Sequence, residues 1–186
     1  MTLQMQPRDL HLMFHIDTNR LNARQGLETM NQIEKWADDG VILINMSGTA
    51  HTESKAGNST PRTRKANSFI FTIESDSNGP RCDTIYLQIE EALFPGGAKD
   101  QNQINDVRIV CEANKYGASL ITTDGRSKRQ PGGILGNRDK LKGMVRIFSD
   151  DEAVEFIRDK IRERDELNER IARELGLPLP EWTARD

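Results

Sequence analysis

Asn105–Asp124, NDVRIVCEANKYGASLITTD, is the stretch whose reading decides the fold. Together with Ile104 just upstream, Val107, Val110, Cys111 and Tyr116 fall on one helical face, the spacing of an amphipathic helix laid on a core. Gly117 closes that helix, because helices commonly end on a left-handed residue and glycine adopts that conformation without strain. Ser119–Thr123 then reads as a short strand, and the run ends on an acid, Asp124. A helix returning directly into a short buried strand is the working unit of an α/β domain.

The same alternation continues outward. Leu10–Asp17, LHLMFHID, is a mostly apolar run of strand length that also ends on an acid. Leu27, Met30, Ile33 and Trp36 follow at three-residue spacing, and Asp39-Gly40 stops that helix. Val41–Asn45, VILIN, is continuous and apolar, as in strands buried on both faces. Ser47 has the chemistry of an N-cap for a second helix, with Glu53 on its second turn. Downstream, a short helix is expected over Ile134–Leu141 and a last strand over Met144–Phe148. Ser149 with Glu152 forms a capping box that opens a long helix, with Val154, Ile157, Ile161, Leu167, Ile171 and Leu175 as its apolar stripe. The prolines of LPLPEWTARD end it.

Only the middle departs from this rhythm. SKAGNSTPRTRKANS reads as a polar loop. Phe69–Ile73 and Thr84–Ile89, separated by the turn-rich SDSNGPRCD, read as the strands of an inserted hairpin. The expectation is therefore a three-layer α/β/α fold with a mainly parallel central sheet, formed by residues 1–186 as one domain. Its core spans 10–160, its insert 57–100, and its extended C-terminal helix and tail 150–186.

Composition narrows the function classes without naming one. The 186 residues carry a net charge of −3, so nucleic-acid binding would need a local basic stripe rather than a basic protein. Aromatics are 5%, so Ile, Leu, Val and Met must build the core. Cys82 and Cys111 form no CxxC pair and no Cys/His cluster, which argues against a zinc site or a disulfide framework. The N-terminus lacks an apolar signal region and no run reaches membrane-spanning length, so a cytoplasmic protein without membrane contact is expected.

In open parallel sheets, ligands bind outside the carboxyl ends of the strands. Asp17 and Asp124 close two strands there, and Glu53 and Asp106 lie near the starts of helices that begin at the same edge. Four converging carboxylates repel one another, which a divalent cation relieves; Mg²⁺ or Mn²⁺ suits an all-oxygen set. On the residues alone a simpler reading stays open, since an Asp at a strand end is often a cap or turn former and Asp106 would suit any helix start.

HIDTNRLN resembles the opening strand of PIN domains, and NDVRIVCEANKYGASLITTD resembles their most specific segment, through Asp106, Ala113, Gly117-Ala118, Thr122 and Asp124. Glu53, in the helix after the second strand, occupies the place of a third family acid. The short helix, MVRIF and SDDEAVEFI look like the family's ending. The likeness covers residues 11–55 and 102–158; 57–100 has no counterpart, and Gly125-Arg126-Ser127 stands where the family often has another acid or an aromatic. The resemblance implies a metal-dependent ribonuclease that hydrolyses RNA, usually single-stranded, and leaves a 5′ phosphate. Asp17, Asp106 and Asp124 would be catalytic metal ligands, and Glu53 a ligand directly or through water. Thr18 and Asn19 would orient Asp17 or a water beside the metal, and Thr122 would bond a neighbouring carboxylate. It also implies partners: an antitoxin or other protein, or a second copy of the chain.

Arg126, Lys128 and Arg129, directly after Asp124, would hold the RNA backbone. Arg62, Arg64 and Lys65 read as a solvated face, and His51, two residues from Glu53, as structural or exposed. Trp36 belongs to the core stripe, and Trp182 would pack on the domain or on a partner. Two other functions compete. One is a catalytically silent PIN-like domain that binds RNA or protein. The other is an aspartyl-phosphate phosphohydrolase, which Asn19 disfavours by standing where a second Asp is wanted.

Overall fold

A computed structural model describes residues 4–56, 58–72, 84–125 and 132–186. Five strands form one sheet: β1 (Met13–Ile16), β2 (Leu43–Met46), β3 (Ile70–Phe71), β4 (Ser119–Ile121) and β5 (Ile147–Phe148). Their order is β3-β2-β1-β4-β5 and every pairing is parallel, so all the carboxyl ends share one edge. Helices α1 (Glu28–Asp38), α2 (Gly48–Lys55), α3 (Thr60–Ala66), α4 (Thr84–Leu93), α5 (Gln101–Lys115), α6 (Gly133–Gly136) and α7 (Asp150–Leu175) flank it. This is the expected three-layer α/β fold with its long C-terminal helix.

The central strands are apolar because both faces are covered. Phe14, Ile16, Met46, Leu120 and Ile121 are fully buried. On α1, Met30, Ile33 and Trp36 close the core, which makes Trp36 a packing residue. Ser47 accepts a hydrogen bond from the Ala50 amide and starts α2. The capping box of Ser149 and Glu152 starts α7.

The middle of the chain differs from expectation. Residues 60–66 are helix rather than loop, with Pro61 in the first turn, where its missing N–H removes no helical bond. Thr84–Ile89 is not a strand of a hairpin but the first part of α4. Its Ile and Tyr suggest a strand over six residues, but the run on to Leu93 puts Tyr86, Ile89 and Leu93 at helical spacing, and all three are buried. Of Phe69–Ile73 the described residues hold β3, which pairs parallel with β2 and extends the main sheet rather than forming a hairpin with Thr84–Ile89; Ile73 lies outside the described residues. All of SDSNGPRCD, including Cys82, lies outside the described residues.

Two helices differ in detail. α5 begins earlier than its apolar spacing suggests, because the Asp100 side chain caps the Gln103 amide; Asp106 therefore sits inside the helix. Tyr116 is partly exposed, while Ile109 and Glu112 take up the buried face. On α7 Val154, Ile157 and Ile161 join the main core and Ile171 is buried further along. Leu167 and Leu175 are not in the core, and Arg164, Asp165 and Asn168 are buried instead. They serve the chain ends: Asn168 bonds both backbone groups of Gln6, and Arg164 donates to the Arg8 carbonyl and to Asp186. Trp182 lies on the Arg164 guanidinium, 4.4 Å from ring centre to Cζ, so the tail packs on the domain. Among the described residues no helix is long and apolar enough to cross a membrane.

Candidate metal centre

Asp17 ends β1 and turns the chain at once. Its extended backbone caps a short 3₁₀ turn, Thr18–Arg20, and its Oδ1 accepts the Thr18 amide at 2.5 Å. Its Oδ2 accepts Asn19 Nδ2 at 2.7 Å and Thr122 Oγ1 at 2.6 Å. Three donors thus fix a carboxylate that is only 6% exposed. Burial raises its pKa, the bonds from Thr122 and Thr18 oppose that, and the charges of Glu53 and Asp124 add to it.

Thr122 connects two acids. Its hydroxyl donates to Asp17 and accepts the Asp124 amide at 3.0 Å. Asn19 reaches the same strand end, where its Oδ1 accepts the Thr123 amide at 3.2 Å. Asp124 in turn accepts the Ile134 amide at 3.0 Å on Oδ2. Gly133 packs against it so closely, at φ +53°, that a Cβ there would fall 2.6 Å from that oxygen. Only glycine lets the start of α6 approach.

From the other side of β1, α2 brings Glu53. Its two oxygens accept Thr18 Oγ1 at 2.9 Å and Asn105 Nδ2 at 2.6 Å. Asp106, beside Asn105 on α5, has no donor or cation paired with its carboxylate among the described residues. Burial pushes its pKa up to about 8, helped in decreasing order by the charges of Asp124, Asp17, Glu53 and Asp100. The four sequence-derived acids therefore lie near enough to act on each other's charge, at the carboxyl edge of the sheet.

The donor set suits a hard divalent cation: four carboxylates, hydroxyls and amides, and no Lys or Arg ion-paired with any of the four among the described residues. Asp17 Oδ1 and both Glu53 oxygens each accept one hydrogen bond and keep a lone pair, whereas Asp17 Oδ2 has used both. Yet among the described residues no three His, Cys, Asp or Glu side chains are arranged to grip one ion directly. A cation here would be held through few carboxylates and several waters, the habit of Mg²⁺.

Three supporting residues escape a reading of the sequence. Asn105 positions Glu53. Arg62, from the cluster read as solvated, donates at 2.8 Å to the Thr18 carbonyl beside Asp17, while its neighbour Lys65 pairs with Glu34. Glu112, only 6% exposed on α5, accepts the Gly48 amide, the Thr49 amide and hydroxyl, and the Thr72 hydroxyl. It clamps the N-terminus of α2 and the chain after β3 onto α5, so it fixes Glu53 relative to Asp106. Burial raises its pKa, and those donors counter the rise. Periodicity would have marked Glu112 only as an acid out of place on an apolar face.

His51 is buried, bonded to Asn67 and stacked on Phe71, a structural position. Arg126, Lys128 and Arg129 lie outside the described residues. No family model matches the chain, and no curated protein matches it.

Proposed function

We propose that the chain is a Mg²⁺- or Mn²⁺-dependent endoribonuclease of the PIN type, acting on single-stranded RNA. The observation that carries this reading is the pre-set Asp17 carboxylate. It is held by the Thr18 amide, Asn19 and Thr122, and it is surrounded by the charges of Glu53 and Asp124, with no cation paired among the described residues. A buried carboxylate facing other acids is unfavourable by itself, and such perturbed groups cluster at functional sites.

Asp17, Asp106 and Asp124 would hold the metal, in part through waters, with Glu53 at the margin. The cation, when bound, supplies charge for a scissile phosphodiester and acidifies a water. The chain's own groups supply the setting. Thr18, Asn19 and Thr122 keep Asp17 in one orientation, and Asn105 and Thr18 do the same for Glu53. Asp106, raised to about 8, is the group that takes a proton when no cation is present. Arg126, Lys128 and Arg129 would contact the RNA backbone. The cytoplasm is the proposed location, and an antitoxin or a second copy are the proposed protein partners.

One observation favours a second reading, a catalytically silent PIN-like binding domain: no three side chains grip a single ion directly among the described residues. Incubation of the protein with end-labelled single-stranded RNA separates the two. The nuclease gives 5′-phosphate fragments in Mg²⁺ or Mn²⁺ and none in EDTA. The silent domain gives none in either metal.

A further inference from the structure

Phe71 is an aromatic residue that core packing does not explain. It is the last residue of β3, the edge strand of the sheet among the described residues, and 47% of it is exposed although it lines the same cleft as Glu53. The sheet register aligns Phe71 with Met46 and Met46 with Ile16, the residue before Asp17. Two strand spacings, roughly 10 Å, therefore separate Phe71 from the strand that carries Asp17.

One face of the Phe71 ring is already fixed. His51 stacks on it with ring centres 4.0 Å apart and planes 8° from parallel. His51 is itself buried and tied to Asn67 through Nε2. The exposed aromatic is thus backed by an immobile ring, which lowers the entropy lost when a flat ligand stacks on it.

The surroundings suit a base, which is flat and edged with polar atoms. Phe71 lines a cleft of about 630 Å³ together with Thr52, Glu53, Ala56, Gln101, Asn105 and Arg108, a mixed lining with one cation. Gln101 donates to Asn105 at 2.8 Å, and Asn105 donates to Glu53 at 2.6 Å. Two side-chain amides therefore connect the wall of the cleft to Glu53 in the acidic cluster. A nucleobase offers a π-face to Phe71 and edge donors and acceptors to the polar side chains of the cleft.

We propose that this cleft is a nucleobase subsite, in which a base flanking the scissile phosphate stacks on Phe71. The proposal rests on the ribonuclease reading above and adds a positioning residue to it.

The test is equilibrium binding of a short fluorescein-labelled single-stranded RNA, in Ca²⁺ to limit cleavage, by the full chain and its Phe71 variants. Phe71→Ala and Phe71→Leu are expected to weaken binding about tenfold, and Phe71→Trp to retain it, as for stacking platforms on single strands. A scan with one abasic residue at successive positions is expected to find a position where the parent loses affinity and Phe71→Ala loses none. Parent-like binding by Phe71→Leu, or equal sensitivity of parent and Phe71→Ala at every abasic position, overturns the subsite and leaves the nuclease reading standing. A parent that binds no RNA overturns both. Melting curves check that each variant is folded, and Phe71→Leu keeps the apolar bulk should Phe71→Ala unfold.

Discussion

Thr122 donates its hydroxyl to Asp17 Oδ2 at 2.6 Å and so joins the ends of β4 and β1 across 105 positions of sequence. Thr122 Oγ1 also accepts the Asp124 amide, so one hydroxyl sets two of the four acids. Thr122→Val keeps the shape and removes the bond. Stability is expected to fall by about 1–2 kcal/mol, the range for a lost buried hydrogen bond to a carboxylate. Metal-dependent RNA cleavage is expected to fall about tenfold, roughly 1.4 kcal/mol in the barrier. Thr122→Ser, which keeps the hydroxyl, restores most of the activity. Full activity in Thr122→Val would remove Thr122 from the centre.

Asp106 gives the centre a distinctive pH dependence in chelator. An unfolded Asp titrates near 4, and the folded one is raised to about 8 by burial and by its acidic neighbours. Its folded form therefore prefers the proton. That preference adds stability fully below the unfolded value and loses it as pH rises through about 8. With EDTA present, stability is expected to fall between pH 5 and 8 for this reason. Asp106→Asn is expected to flatten that limb and to raise stability at pH 8 by about 1–3 kcal/mol, a figure discounted because the group is only partly buried. Melting temperatures of the two proteins across pH check this; parallel curves contradict it.

Glu112 separates structure from catalysis. Replacing it with Ala leaves the Gly48 and Thr49 amides and the Thr49 and Thr72 hydroxyls without their acceptor. Unfolding in urea is expected to show a loss of about 2–4 kcal/mol, equal with and without Mn²⁺. A loss seen only with metal would place Glu112 among the ligands.

How much of this was legible in the sequence depends on how local each signal is. Asp17 and Asp124 stand at the ends of apolar strand runs, and Ser47 and Ser149 cap the helices they precede, so adjacent residues identify them. Glu112 is a different case: its partners lie 40 to 64 positions away, and nothing near it in the chain announces them. Asn105 reaches Glu53 across 52 positions in the same way. Thr84–Leu93 misled because β-branched and aromatic residues near its start carry strand preference, which packing on α5 overrides. The second half of α7 misled because apolar spacing continues through Leu167 and Leu175 while buried polar residues bind the chain ends.

That docking gives a fourth expectation. Trp182 covers the buried Arg164 guanidinium, which also pairs with Asp186. Trp182→Ala removes the cation–π contact and lets water reach the pair, so a loss of about 1–2 kcal/mol is expected. RNA cleavage measured well below the new melting temperature should be unchanged. A melting curve identical to the parent's would mean that the tail adds nothing to stability.

Asp124→Asn, measured beside the parent, tests the central claim most directly. Asn keeps an acceptor for the Ile134 amide and removes the charge. In EDTA the variant is expected to melt at the parent's temperature or above, because repulsion among the acids is relieved. Added Mn²⁺ should raise the parent's melting temperature and raise the variant's less. Cleavage of single-stranded RNA in Mn²⁺ or Mg²⁺ should drop a hundredfold or more, about 2.7 kcal/mol. A parent that neither gains stability from the metals nor cuts any of a broad set of single-stranded RNAs would contradict the account, as would a variant that cuts as fast as the parent.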